Sequence, residues 1–162
     1  MHLQKLLDQH KRRYRERFLK KFAQVNRLTV KEAKETFADQ IEDYIREKYS
    51  ALEEIVEEIQ NKEAPLLLNI CRDPNGEKCP ICDSNRPNIQ KIREDYQEKI
   101  HYMEIWDSTP GIALYHVIFQ GEGEKLLPLT AVVHQGDVKK YWAGQAVPPE
   151  EYTKYLDPLL KL

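Results

Sequence analysis

Two of the three cysteines stand in the run Cys79-Pro80-Ile81-Cys82, a C-x-x-C spacing that points to redox or metal chemistry. Two thiols so placed can close one disulfide and reopen it by exchange through a mixed disulfide. The attacking species is a thiolate, so the first cysteine must be exposed and its anion stabilised. Cys79 meets both needs if it opens a helix, where unpaired amides and the helix dipole favour negative charge. Lys78 adds a neighbouring cation, and Pro80 suits a first helical turn, where a missing N–H is no loss. Cys82, one turn further in, is the resolving thiol. The third cysteine, Cys71, reads as a small buried hydrophobe, the usual state of a free cysteine, with a third redox thiol or a metal ligand as its sharper alternatives.

These residues need elements to hold them. Leu66-Leu67-Leu68-Asn69-Ile70-Cys71 is a short, mostly apolar run and reads as a buried strand. Asp73-Pro74-Asn75-Gly76 is a turn cluster, after which a helix runs from Cys79 to about Tyr96. Ile100 to Trp106 alternates as a strand, and Pro110 to Gln120 reads as a helix or a mixed element. Leu129 to His134 and Val138 to Trp142 read as two strands joined by a turn at Gly136-Asp137. Pro149 then opens a last amphipathic helix carrying Tyr152, Tyr155, Leu156 and Leu159. The order is β-α-β-α-β-β-α, an α/β pattern with a central sheet flanked by helices.

Ahead of this stands an all-α stretch. Leu3, Leu7, Tyr14, Phe18, Phe22 and Val25 fall on one helical stripe. Thr29 and Glu32 form a capping box that opens a second helix, free of glycine and proline to Glu63. From Ile45 through Tyr49, Leu52, Val56 and Ile59 the spacing alternates four and three, as in a coiled-coil seam. Residues 1–62 therefore read as a helical hairpin, and residues 64–162 as the α/β domain. The hairpin either packs on that domain or joins two copies into a homodimer. The first helix is basic, with Lys11, Arg12, Arg13, Arg15, Arg17, Lys20 and Lys21, and the second is acidic, with Glu42, Glu47, Glu53, Glu54, Glu57 and Glu58 among others. The simplest consequence is that the two lie against each other.

The bulk properties bound the function. The 162 residues carry a net charge of −2 and 41% hydrophobic residues, which suits a soluble folded chain without a strongly polyanionic partner. Nucleic acid is not expected, nor is a membrane, since no run approaches the roughly eighteen apolar residues of a span. The polar, basic start from Met1 to Tyr14 does not read as a signal peptide. Three cysteines are too few for a secreted disulfide scaffold, which makes a cytoplasmic location the expectation. No glycine-rich phosphate loop follows a strand, so a nucleotide cofactor has no support.

Over residues 64–162 the sequence resembles the thioredoxin superfamily. The C-x-x-C follows a buried strand and opens a helix, Pro87 follows Cys82 by five residues, and Pro128 opens a strand about 46 residues further on. The tail from Pro128 through Val138 and Gly144 to the closing helix is similar to the family's final β-β-α unit. The resemblance implies thiol–disulfide exchange, with a redox-active disulfide between Cys79 and Cys82 and no other cofactor. It also implies a cis-Pro128 that turns the Leu127 backbone toward the sulfurs, where an extended substrate can pair. The implied partners are a disulfide-containing protein or a small thiol as substrate, and an upstream reductase or thiol donor. Three positions depart from the family pattern. Pro80-Ile81 stands between the cysteines, which is more like glutaredoxins, Lys78 replaces a tryptophan, and Asn69 falls where thioredoxins bury an aspartate.

Two other readings compete. In the first, the Cys-Pro-x-Cys run is a zinc knuckle with Cys71 as third ligand, although structural zinc wants four ligands and no second C-x-x-C is present. His101, His116 and His134 read as half-exposed surface residues. In the second, the α/β domain is a scaffold and the basic helix binds nucleic acid or an acidic protein, with steep salt dependence. Tyr14 and Phe18 oppose this, because they sit where a packed stripe needs them.

Overall fold

The computed structural model describes residues 1–161. Two long helices come first, α1 (Leu3–Val25) and α2 (Val30–Asn61). The capping box is formed: the Thr29 hydroxyl accepts from the Glu32 amide at 3.0 Å, and the Thr29 amide donates to Oε1 of Glu32 at 3.1 Å. At about 1.5 Å per residue, α2 runs roughly 48 Å. It is not straight. Phe37 has φ −119° and ψ 21°, a break at the point where its ring packs edge-on against Phe22. The opposed charges meet as expected, in a Lys11–Glu53 ion pair and an Arg15–Glu42 pair at 2.9 Å. Phe18 stacks on Tyr44 with ring centroids 4.9 Å apart, which closes the seam further out. Val25, placed on the buried stripe by its spacing, is instead 72% exposed, at the last residue of α1.

The sheet has four strands: β1 (Leu66–Cys71), β2 (His101–Trp106), β3 (Leu129–His134) and β4 (Asp137–Ala143), in the order β2-β1-β3-β4. β1 runs parallel to β2 and antiparallel to β3, and β3 and β4 form an antiparallel pair. The parallel step from β1 to β2 crosses through helix α3 (Pro80–Tyr96), as parallel neighbours require. A 3-10 turn (Pro110–Ala113) and a short helix α4 (Leu114–Ile118) lead toward β3. Helix α5 (Pro149–Leu160) closes the described chain. The β3–β4 turn is formed by Gln135 (φ 50°) and Gly136 (φ 86°), one residue earlier than the sequence pattern suggested. Two positive φ values are what a tight two-residue hairpin demands, and glycine supplies one at no steric cost.

β1 is buried along its whole length because both faces are covered. Leu66, Leu68 and Ile70 point into a cluster with Leu7, Ile45, Tyr49, Leu52 and Val56 of the hairpin and with residues of α4. Leu67 points the other way, among Ile89 and Ile92 of α3 and Tyr152 and Leu156 of α5. The hairpin thus forms the third layer of the domain: hairpin and α4, then sheet, then α3 and α5. The four-three seam of α2 is buried inside the chain by this packing. Gly111 marks how close the layers come, since a Cβ there would lie 3.0 Å from Ile105 and 3.1 Å from Ile55.

Candidate functional site

The site lies where β1 ends and α3 begins. β1 delivers Asn69 and Cys71, and the chain then turns through Asp73–Gly76. That turn is tied down. The Asp73 amide donates to Asp107 at 2.8 Å, the Asn75 amide to Asp73 at 2.9 Å, and the Ser108 hydroxyl to Asp73 at 2.7 Å. These bonds hold the Asp73 carboxyl below the usual carboxylate range, with the Asn75 amide as first cause and Ser108 as second. Asp73 is therefore an acid bound into the turn, and it lines the same depression as Cys79 and Cys82.

Cys79 is the N-cap of α3, and Pro80 takes the first helical position. The Cys79 sulfur accepts a hydrogen bond from the Cys82 amide at 3.2 Å, the service an N-cap oxygen usually performs. Cys79 and Cys82 are joined as a disulfide, with Cα atoms 5.2 Å apart. The two sulfurs differ in access: Cys79 is half-buried, while Cys82 is 7% exposed. Lys78 is exposed and lines, with Cys79, Cys82, Asp83 and Arg86, a small depression of about 90 Å³. Ile81 stands out from the surface at 41% exposure. Pro87 lies inside α3.

The Leu127–Pro128 peptide bond is cis, as the resemblance implied. Leu127 is buried in the same apolar cluster as Cys82, and Cys79 packs on that cluster. Pro128 accepts a hydrogen bond from the Gly144 amide at 2.9 Å, which ties the start of β3 to the end of β4.

Behind the disulfide is a cavity of about 250 Å³, lined by Cys82, Cys71, Asn69, Tyr102, Glu104 and Arg93 among others. Asn69 is 7% exposed; its Nδ2 donates to the Tyr102 hydroxyl at 3.2 Å, and its Oδ1 has no partner. Tyr102 donates onward to Glu104 at 2.8 Å, and Trp106 Nε1 donates to the other Glu104 oxygen at 2.8 Å. The Arg93 guanidinium lies 4.3 Å over the Tyr102 ring. Burial pushes the Cys71 thiol up to about 12, with the Glu104 charge as second cause. Cys71 is buried and free.

Sequence reasoning missed Tyr102, Glu104, Arg93 and also Asn85. Asn85 is 1% exposed and binds the Val147 amide at 2.8 Å and the Tyr152 hydroxyl at 3.0 Å, which fixes α3 against α5. One signal was available for the first group: Tyr102, Glu104 and Trp106 alternate, so they share one face of their strand. The histidines lie apart. His116 is exposed, and His134 makes a 3.2 Å hydrogen bond with the Glu63 carbonyl. Among the described residues, no three His, Cys, Asp or Glu side chains gather as a metal site. Among the same residues, no helix is long and apolar enough to cross a membrane.

No family model and no curated protein matches the chain. Among solved structures, mitochondrial thioredoxin 3 of Saccharomyces cerevisiae in its oxidised form is 17% identical, with a TM-score of 0.49 over 68% of this chain and 98% of that one. Trxlp of Edwardsiella tarda EIB202 is 16% identical, with a TM-score of 0.45 over 63% and 90%. A structure addressing thiol resolution in yeast mitochondrial 1-Cys peroxiredoxin via glutathione/thioredoxin systems is 15% identical, with a TM-score of 0.48 over 65% and 87%. By its own strand order and connections, the chain has a thioredoxin-like fold behind a helical hairpin, with a disulfide-bonded C-x-x-C pair at the head of α3.

Proposed function

We propose that this protein is a thiol–disulfide oxidoreductase that reduces disulfides of proteins or small molecules through Cys79 and Cys82. The observation that carries the reading is the asymmetry of the pair: a half-buried sulfur at a helix N-terminus, receiving an amide hydrogen bond, linked to a buried one. In the reduced protein the Cys79 thiolate attacks a substrate disulfide R–S–S–R′. The new bond joins Cys79 to R, and R′–S⁻ leaves and takes a proton from solvent. Cys82 then attacks Cys79, R–S⁻ leaves, and the protein is left oxidised. A donor dithiol or a reductase returns both electrons, so no bound cofactor is required. Reduction is the direction that suits a cytoplasmic chain. Lys78 favours the Cys79 thiolate by its charge, and the Leu127–Pro128 segment offers backbone to an extended substrate.

The test is turnover of a chromogenic disulfide with a small dithiol as donor. Cys79→Ser should abolish the catalysed rate. Reduced Cys82→Ser, mixed with the disulfide in the absence of the donor, should release one thiolate and hold a mixed disulfide on Cys79. A Cys79→Ser protein that keeps the wild-type rate contradicts the reading.

A further inference from the structure

Resolution of the mixed disulfide requires Cys82 to lose a proton, and Cys82 is buried, with little direct access to bulk water. Cys82 borders two spaces, the small depression it shares with Lys78, Cys79 and Asp83 and the larger cavity behind it, and in the larger one Glu104 stands as an exposed carboxylate. We infer that Glu104 is the proton acceptor for Cys82, reached through water in this cavity, with Asn69 and Tyr102 as the positioning residues. The inference rests on the exchange reaction proposed above.

Four observations support it. The cavity, at about 250 Å³, is roomy enough to hold water and presents the polar groups of Asn69, Tyr102, Glu104 and Arg93 to it. The Asn69 Oδ1 is buried and unpartnered, an acceptor that a bridging water satisfies at no other cost. The donor direction runs outward, from Asn69 Nδ2 to Tyr102 and from the Tyr102 hydroxyl to Glu104, so each member is polarised toward the carboxylate. Trp106 Nε1 fixes the other Glu104 oxygen, which holds the carboxylate toward the chain of donors.

The charges around the acceptor are mixed. Arg86 and Arg93 face the cavity from α3, Cys71 and Asn69 from β1, and Tyr102 from β2. Glu54 of α2 shares the outer groove with Glu104. Burial raises the Tyr102 hydroxyl above its ordinary range, and its bond to Glu104 adds to this while Asn69 opposes it. Tyr102 therefore stays protonated and passes a proton on only as it receives one. Cys71 also stays a thiol and does not compete with Cys82. In the step itself the Cys82 S–H gives its proton to water and the water gives one to Glu104, directly or through Tyr102. The Cys82 thiolate then bonds to the Cys79 sulfur as the Cys79–S–R bond breaks. R–S⁻ leaves, and Glu104 releases its proton to solvent.

Rapid mixing of the reduced protein with excess aromatic disulfide separates the steps, because each releases one coloured thiolate. The first phase, attack by Cys79, depends on reagent concentration; the second, attack by Cys82, does not. Glu104→Gln should leave the first phase unchanged and slow the second about ten- to a hundredfold at pH 6–7, within the usual reach of acid–base assistance. The defect should narrow as pH rises, because hydroxide then takes the Cys82 proton without Glu104. Tyr102→Phe should slow the second phase less, with the same pH rescue. A second phase unchanged in Glu104→Gln, or slowed equally at every pH as a structural defect would do, overturns the proton route and leaves the exchange reading standing. A wild-type protein with no first phase overturns the exchange reading itself.

Discussion

Asn69 and Glu104 are register partners on neighbouring parallel strands, and the Tyr102 hydroxyl joins their side chains, accepting from one at 3.2 Å and donating to the other at 2.8 Å. Asn69 is buried on β1, and the Glu104 carboxylate stands exposed on the edge strand β2. Asn69→Asp should bring a second acceptor next to Cys82 and speed the resolving step. A carboxylate in that buried position has its pKa raised, so the added group favours folding below its unfolded pKa and loses that stability as pH rises through its folded value. Stopped-flow resolution rates and unfolding midpoints at pH 5 and pH 8 check both parts.

Cys71 should be inert in the native protein. Its thiol is pushed up to about 12 by burial first and by Glu104 second, so almost none is ionised at pH 8. Alkylation of reduced protein, read by mass spectrometry, should mark Cys79 rapidly and Cys71 only after denaturant is added. Native labelling of Cys71 at a rate near that of Cys79 would instead support its reading as a third redox thiol.

Asn85→Ala should destabilise the domain by about 1–3 kcal/mol, since it strands the buried Val147 amide and removes a partner of the Tyr152 hydroxyl. The variant should unfold at lower denaturant with an unchanged slope, because the loss is of native-state bonds rather than of compactness. An unchanged midpoint would mean that the α3–α5 contact is held by apolar packing alone.

His10 should make the fold acid-sensitive. Its pKa is lowered, first by burial and then by Arg13, Arg17, His116 and Lys48, and its ring shares a 2.8 Å hydrogen bond with Tyr49. A histidine depressed in the folded state contributes stability above its unfolded pKa of about 6.5, and loses it as pH falls below that value. His116, exposed at its surface but with its ring partly desolvated and Lys125 nearby, is also lowered and acts in the same direction. Melting temperatures at pH 7.5 and 5.5 should therefore differ less in His10→Gln than in wild type, without becoming equal.

Much of this was legible before the structure, for reasons that differ by element. The run Leu66–Cys71 reads as a buried strand because both of its faces are covered, so no alternation is left to mislead. Thr29 with Glu32, Cys79 with Pro80, and Pro128 announce element starts through local chemistry that packing does not override. The choice between a docked and a dimerising hairpin was not legible. The seam from Ile45 to Ile59 is apolar toward any partner, and only the tertiary arrangement puts the sheet under it. The break at Phe37 and the exposure of Val25 were likewise not legible in the spacing. Glu104 escaped notice because its meeting with Asn69 depends on the register between β1 and β2, which are separated by the whole of α3. Alternation marks the face of a strand, but register across a crossover is set by packing.

The central claim, that Cys79 and Cys82 are a working redox pair, is tested most directly by a redox titration. The protein is equilibrated in dithiol/disulfide buffers of known potential, trapped by alkylation and weighed. The account predicts one two-electron transition confined to Cys79 and Cys82, with Cys71 reduced throughout. Its midpoint should lie nearer the roughly −270 mV of a reductant such as thioredoxin than the about −120 mV of a strong oxidant. Cysteines that stay reduced over the whole range, or that resist alkylation until a chelator is added, would contradict it.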